Sequence, residues 1–143
     1  VRFDRIVMLA QSLFETQGAA FSLVDGDRYW YKTLIGGSWT EIPREGSITS
    51  VAMESRGAFV VGDARIDPRF QHSPNVVGVP LIRFYAGYPI ESASGDHIGV
   101  LVVFDPEPRD IRGFDESLMR TCALMIQTEL EHGTPAHWEP TPA

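Results

Sequence analysis

The sequence has little reactive sulfur and no apolar stretch that could cross a membrane. Cys122 is the only cysteine, so the chain can form neither an intrachain disulfide nor a redox pair of thiols. This usage is typical of the reducing cytoplasm, where we expect the protein to act. The longest strongly apolar run, residues 98–104, is far too short to span a bilayer, and no membrane insertion is expected.

Positive charge is also scarce, with 12 basic residues against 19 acidic ones and a formal net charge of −7. The phosphates of nucleic acids and of anionic membranes would be repelled, which argues against both as partners. The net charge says nothing about whether the protein binds a small-molecule ligand. A chain of 143 residues, 43% of them hydrophobic, suits one domain with its own core.

The chain lacks the residue clusters that metal and catalytic sites need. Its four histidines are dispersed, whereas a zinc site needs about four converging nitrogen or sulfur donors, so no metal site is predicted. A single axial histidine on a haem stays open, and the cofactor is left unknown. Cys122 has apolar neighbours at helical spacing and is interpreted as a core residue. No nucleophile, base and orienting group can be named together, so we expect no enzyme activity and no catalytic residues.

The hydrophobic spacing predicts an α+β fold with an antiparallel sheet. Asp25-Gly26 suits a tight turn between two strands, and a second hairpin is expected to turn at residues 92–96. Ser47 can cap a short helix between the two hairpins. The predicted elements, in chain order, are helix 3–14, strands 20–24 and 28–35, helix 48–55, strand 58–61, the irregular segment 63–78, strands 83–90 and 98–104, and helix 114–131.

Side-chain alternation in the second strand predicts which residues share a face. It places Trp30 and Lys32 on one face and Tyr29, Tyr31 and Thr33 on the other. Of the neighbours Trp30 and Tyr31, only one can then line a pocket, because adjacent side chains of a strand point to opposite sides of the sheet.

Two further patterns concern helices. The last helix carries two apolar stripes, of which one can cover the sheet and the other is available for a second helix. Charged substitutions at Met119 and Ile126 are therefore expected to break a dimer. The pair Asp67-Pro68 is typical of a helix start.

Several short segments, in this order and at these distances, resemble those of the GAF domain family over nearly all of the chain between the first and the last helix. The segments are residues 22–25 (SLVD), 27–28 (DR), 30–32 (WYK), 43–45 (PRE), 63–65 (DAR), 67–70 (DPRF), 82–87 (IRFYAG), 98–101 (IGVL) and 104–105 (FD).

The resemblance implies a PAS-like antiparallel sheet of five or six strands, with the terminal helices on one face and a lidded small-ligand pocket on the other. It also implies a sensory or regulatory domain of a larger intracellular signalling protein, with an attached output domain such as a kinase, a diguanylate cyclase or a phosphodiesterase. The terminal helices are expected to form a homodimer. We expect the GAF domain to span residues 1–132 and residues 133–143 to be a proline-rich linker or disordered tail.

The chain departs from the bacterial subfamily that it resembles at the short helix. That subfamily usually has a cysteine and a histidine where this sequence has Thr49 and Val51, so a redox or metal role resting on that pair is not expected. No cysteine lies in a loop that matches the bilin attachment site of phytochrome-like members. The adjacent Asn-Lys pair of cyclic-nucleotide-binding members is absent too, because Asn75 and Lys32 are far apart.

The candidate ligand-binding residues are Trp30, Thr49, Ser50, Met53, Asp63, Arg83 and Tyr85. Purely structural roles stay open for several of them. Asp63 can pair within its loop, and Arg83 can tie that loop down instead of binding an anion. Three functions follow, namely a small-ligand sensor, a ligand-free dimerisation spacer, and a sulfoxide reductase that would depend on Cys122.

Overall fold

The computed structural model describes residues 2–133, which form a six-stranded antiparallel sheet with helices on both faces. The helices are α1 (Arg2–Phe14), α2 (Ile48–Met53), α3 (Pro74–Val77) and α4 (Glu116–Gly133), and a 3₁₀ turn covers Ala64–Ile66. The strands are β1 (Gly18–Asp25), β2 (Arg28–Ile35), β3 (Glu41–Pro43), β4 (Phe59–Val61), β5 (Phe84–Glu91) and β6 (His97–Asp105). The expected tail, residues 133–143, lies outside the described residues except for Gly133, which ends α4.

The strand order β3-β2-β1-β6-β5-β4 places β1 and β6 at the centre of the sheet. Both strands are buried on their two faces, which explains why their sequences are almost continuously apolar. Gly26 has a positive φ of 62° in the turn between β1 and β2, as the Asp25-Gly26 pair predicts. The α+β fold class and the antiparallel sheet are confirmed.

Apolar residues form one core on each face of the sheet. On one face α1 and α4 cover the sheet through Val7, Ala10, Met119 and Ile126 among others. On the other face α2 and the chain that follows β4 cover it, and residues such as Ala52, Phe70 and Val76 pack there. The terminal helices therefore lie on the face opposite to the short helix, as expected.

The predicted alternation in β2 is wrong at Thr33. Phe21 pairs with Thr33 and Ser22 with Tyr31, so Lys32 is the extra residue of a β-bulge. The bulge turns Thr33 to the α1 face, where its hydroxyl donates to the Asp4 carboxylate at 2.5 Å. Tyr31 stays on the face of α2.

Asp67-Pro68 begins only one helical turn. The Asp67 carbonyl accepts from the backbone N–H groups of Phe70 and Gln71, and the turn then stops. Ser73 has an extended backbone because it precedes Pro74, which disfavours the helical conformation of the preceding residue.

The prediction for α4 needs correction. Met119 and Ile126 are completely buried against the sheet, so a charge at either position would disrupt the core and would not test a dimer. The exposed apolar residues of α4 are Leu124 and Met125, at 52% and 40% exposure. Over the described residues, no helix is long and apolar enough to cross a membrane.

Candidate functional site

A cavity of about 120 Å³ lies between the sheet and the elements that cover it on the α2 face. The sheet forms its floor. Its roof consists of the start of α2 and residues 73–82, and its side wall is the segment of residues 39–46, which includes the edge strand β3. The lining residues are Ala20, Tyr31, Trp39, Ile42, Pro43, Glu45, Gly46, Ser47, Ile48, Thr49, Ser73, Pro74, Asn75, Ile82, Tyr85, Val102 and Phe104.

Hydroxyl groups fix the start of α2 above this central cavity. The Ser47 side chain accepts from the backbone N–H of Ser50, which satisfies a free donor of the first helical turn. The hydroxyls of Ser47 and Ser50 both donate to the Arg44 carbonyl. The Ser73 hydroxyl donates to the Gly46 carbonyl at 3.1 Å, which joins the two parts of the roof.

Thr49 and Tyr85 form a hydrogen bond across the cavity wall. Their hydroxyl oxygens are 2.9 Å apart, and the two residues are 4% and 3% exposed. Burial raises the pKa of Tyr85 far above its usual value, so the phenol is neutral at physiological pH.

Trp39 and Tyr31 meet edge to face on the opposite wall, with ring centroids 5.9 Å apart. Burial raises the pKa of Tyr31 to about 12, although a side-chain hydrogen bond with Trp39 lowers it in part. The buried Trp39 indole N–H is therefore beside the Tyr31 hydroxyl, although the contact does not reach full hydrogen-bond geometry.

The structure brings two of the seven sequence candidates, Thr49 and Tyr85, to the central cavity. Ser50 and Met53 line a separate surface hollow beside Tyr29 and Arg44. Trp30 is 41% exposed and lies on the sheet face opposite to Tyr31, so it does not reach the cavity.

Asp63 and Arg83 are engaged in the loop that they belong to. The Asp63 carboxylate accepts from the Arg65 backbone and guanidinium groups, and these hydrogen bonds lower its pKa. Asp63 lines a surface groove with Arg109 and Ile111, apart from the cavity. Arg83 donates to the Val76 carbonyl at 2.7 Å, which matches the interpretation that it ties the loop down.

Sequence reasoning missed Trp39, which lies in a loop without periodicity. One local signal was present, the Gly36-Gly37 pair before it. A Cβ atom at Gly37 would collide with the Trp39 ring, so the close approach of this backbone requires glycine. Tyr31 was considered only as one of two alternatives with Trp30.

The electrostatics of the cavity are those of a neutral site. Glu45, at the exposed rim, is the only charged residue among the lining residues. The neighbouring Arg44 instead donates to the Gly26 carbonyl at 2.7 Å. Within residues 2–133 no group of three or more His, Cys, Asp or Glu side chains could hold a metal ion.

Cys122 lies on the other side of the sheet. It is fully buried in the core between α4 and the sheet, and burial raises the pKa of its thiol. A thiol with a raised pKa and no access to the cavity is a poor nucleophile for a ligand there.

Solved structures share this fold. A free methionine-R-sulfoxide reductase from Neisseria meningitidis, solved in complex with its substrate, superposes with a TM-score of 0.73 at 21% identity, covering 90% of this chain and 75% of that one. The GAF domain of an Acinetobacter phosphoenolpyruvate-protein phosphotransferase superposes with a TM-score of 0.69 at 17% identity, covering 90% and 81%. At these identities the likeness shows the fold alone.

The sequence comparison shows the family. The model of the GAF domain family matches residues 1–130, and the chain belongs to that family. A cyclic di-GMP phosphodiesterase of Pseudomonas aeruginosa is 43% identical over 107 residues, which are 75% of this chain and only 18% of that protein. The similarity thus covers a small part of the relative.

Proposed function

We propose that this chain is the sensory GAF domain of a larger signalling protein, and that a small molecule in the central cavity controls an attached output domain. One observation carries the proposal: a cavity of about 120 Å³ lies under α2 and residues 73–82, and its largely apolar walls contain the buried hydroxyl groups of Thr49 and Tyr85. Ligand pockets of proteins typically combine apolar walls with a few such polar groups. Thr49, Tyr85, Tyr31 and Trp39 are the proposed ligand-binding residues.

The output domain is proposed from the relative. That relative is named a cyclic di-GMP phosphodiesterase, and the matched part is only 18% of its length. We therefore propose a phosphodiesterase as the output domain. The GAF domain itself is proposed to have no enzyme activity. A reductase function is disfavoured, since the thiol of Cys122 is buried on the face away from the cavity.

Dimerisation through the terminal helices is part of the same proposal. The helices α1 and α4 pack on each other and both expose apolar side chains, which are Met8, Leu9, Leu13, Leu124 and Met125. Exposed apolar side chains on one face of a protein are typical of an interaction site. A ligand-free dimerisation spacer is the second candidate function, and these side chains are the observation that favours it.

A substitution that fills the cavity distinguishes the ligand sensor from the ligand-free dimerisation spacer. Ala20, in the cavity floor, is 1% exposed, and Ala20→Leu adds three carbon atoms there without a new charge. We expect at least one compound of a broad metabolite panel to raise the melting temperature of the wild-type chain but not of Ala20→Leu, because only a ligand that binds the folded state stabilises it.

Thr121→Leu is the matched control, since Thr121 is exposed on α4. It should respond to the compound as the wild type does. If no compound stabilises the wild type, or if Ala20→Leu responds equally, the sensor proposal fails and the spacer is favoured.

A further inference from the structure

Arg83, which follows the roof and precedes β5, ties the roof of the cavity to the sheet. Its guanidinium donates to the Val76 carbonyl of α3 at 2.7 Å, so it holds the roof directly. Its backbone N–H donates at 3.0 Å to the carbonyl of Asp105, the last residue of β6. Its own carbonyl accepts from the Ala64 N–H at 2.7 Å. A displacement of the roof therefore displaces Arg83, and with it the end of β6.

Asp105 connects this end of β6 to the segment between α1 and β1. The residue is 8% exposed, and one oxygen of its carboxylate accepts at 2.7 Å from the backbone N–H of Gln17, which precedes β1. The other oxygen accepts from the Glu107 N–H at 3.1 Å. Hydrogen bonds to an ionised carboxylate are stronger than those between neutral groups. Asp105 thus contacts the end of the roof through its backbone and the end of α1 through its side chain.

Arg109 holds the α1 side of this connection. Its guanidinium is 3.8 Å from the Asp105 carboxylate and donates to the carbonyls of Phe14 and Glu15 at the C-terminus of α1. An arginine there satisfies carbonyls that have no partner within the helix and interacts favourably with the helix dipole. The guanidinium also lies 5.0 Å from the centre of the Phe84 ring, which places it against β5.

All of these residues lie at one end of the sheet, where β1 and β5 begin and β6 ends. The roof and α1 cover opposite faces of the sheet, and the hydrogen bonds connect them around this end. Because α1 packs on α4, a shift at the end of α1 reaches the two helices that expose the proposed dimer surface. This connection depends on a few polar groups that can be removed one at a time.

We propose that Arg83 and Asp105 are positioning residues that transmit a change in the position of the roof to the end of α1. The inference rests on the proposed function, because a ligand in the central cavity is what moves the roof, and it adds the route of regulation. Arg83 lies outside the set of residues that line the cavity. Its substitution therefore disconnects the roof from α1 without altering the cavity walls.

A substitution in the roof tests this route without any ligand. Ser73→Ala removes the hydroxyl that donates to the Gly46 carbonyl and so loosens the roof. The readout is amide hydrogen exchange at Gln17, followed by NMR on the complete 143-residue chain. Leu101, which is paired on both sides in the centre of the sheet, is the reference for global unfolding. We expect Ser73→Ala to accelerate exchange at Gln17 about fivefold relative to Leu101.

The same roof substitution is then made in Arg83→Met, which keeps a long side chain but removes the donor groups. There we expect Ser73→Ala to change exchange at Gln17 less than about twofold, because the guanidinium that follows the roof is absent. A purely structural role of Arg83 would change the baseline exchange rate but not this response. Arg65→Met is the matched control: Arg65 pairs with Asp63 outside the connection, so the fivefold response should persist.

If Arg83→Met does not fold, Asp105→Asn takes its place, since it weakens the charge-assisted hydrogen bond to Gln17 and should reduce the response in the same way. The inference is overturned if Ser73→Ala leaves Gln17 exchange unchanged in the otherwise wild-type chain. It is also overturned if the response is undiminished in the variant used, or if Arg65→Met abolishes it. Each of these results leaves the sensor function standing, because the comparison with the cavity-filling variant decides that function separately.

Discussion

At the residue scale, Thr49 and Tyr85 are the two sequence candidates that lie on the cavity. They could be predicted because the resemblance implies a lid over the pocket that includes the short helix of Thr49, and because Tyr85 lies in the resembling segment of residues 82–87. Trp39 could not, because its environment is made by Tyr31 and Phe104, which come from different strands. A contact between residues of different strands and a loop produces no hydrophobic periodicity in the loop sequence, so it cannot be predicted from that sequence.

The hydroxyl pair yields a stability prediction. Thr49→Val keeps the shape of the side chain but leaves the Tyr85 hydroxyl buried without a partner, and we expect it to lower the free energy of unfolding by about 1–3 kcal/mol. The double variant Thr49→Val/Tyr85→Phe should recover most of this loss, because removing both partners leaves no unsatisfied group. Urea unfolding followed by circular dichroism measures the three values.

Thr121→Val is the control for this cycle. Thr121 is exposed on α4 and its hydroxyl donates to the Ser117 carbonyl, so its replacement should change the free energy of unfolding by less than about 0.5 kcal/mol. A loss in Thr49→Val no larger than in Thr121→Val would show that the buried hydroxyl pair contributes nothing to stability.

At the element scale, the hairpins and terminal helices follow from local signals, whereas the bulge within β2 does not. The Asp25-Gly26 turn fixes the first hairpin, and helical spacing fixes α1 and α4 to within about two residues. The bulge at Lys32 depends on the partner strand and on the contact of Thr33 with Asp4 of α1. Neither is encoded in the alternation of β2 itself.

The faces of α4 provide an element-scale prediction. Leu124→Glu combined with Met125→Glu should turn the proposed dimer into a monomer with little change in melting temperature, because both side chains are exposed. Met119→Glu should instead unfold the domain, because it places a charge in the core. Light scattering after size-exclusion chromatography gives the oligomeric state.

Gln71→Glu is the control for the added charge, since Gln71 is polar and exposed and lies in the segment after β4, on the other face of the sheet. It should leave the dimer intact. A wild-type chain that is monomeric, or a dimer that survives the double glutamate substitution, would contradict the role assigned to α4.

At the scale of the whole molecule, the sheet separates the cavity from the terminal helices. A ligand on one face can affect α1 and α4 on the other through the strands between them, and β1 and β6 have residues in both cores. Val102 and Phe104 of β6 line the cavity, while Leu101 and Val103 of the same strand pack under the helices. Each residue of β6 that lines the cavity is therefore next in sequence to one that contacts the core under the helices. This alternation is a direct physical connection between the two faces.

The most direct test of the sensor account is amide hydrogen exchange of the wild-type chain with and without the compound that stabilises it most in the metabolite panel. The account predicts slower exchange in the roof, residues 73–82 and α2, together with a change in α1 or α4, and no such differences in Ala20→Leu. Protection that is absent from the roof, or that persists in Ala20→Leu, would contradict ligand sensing through the central cavity.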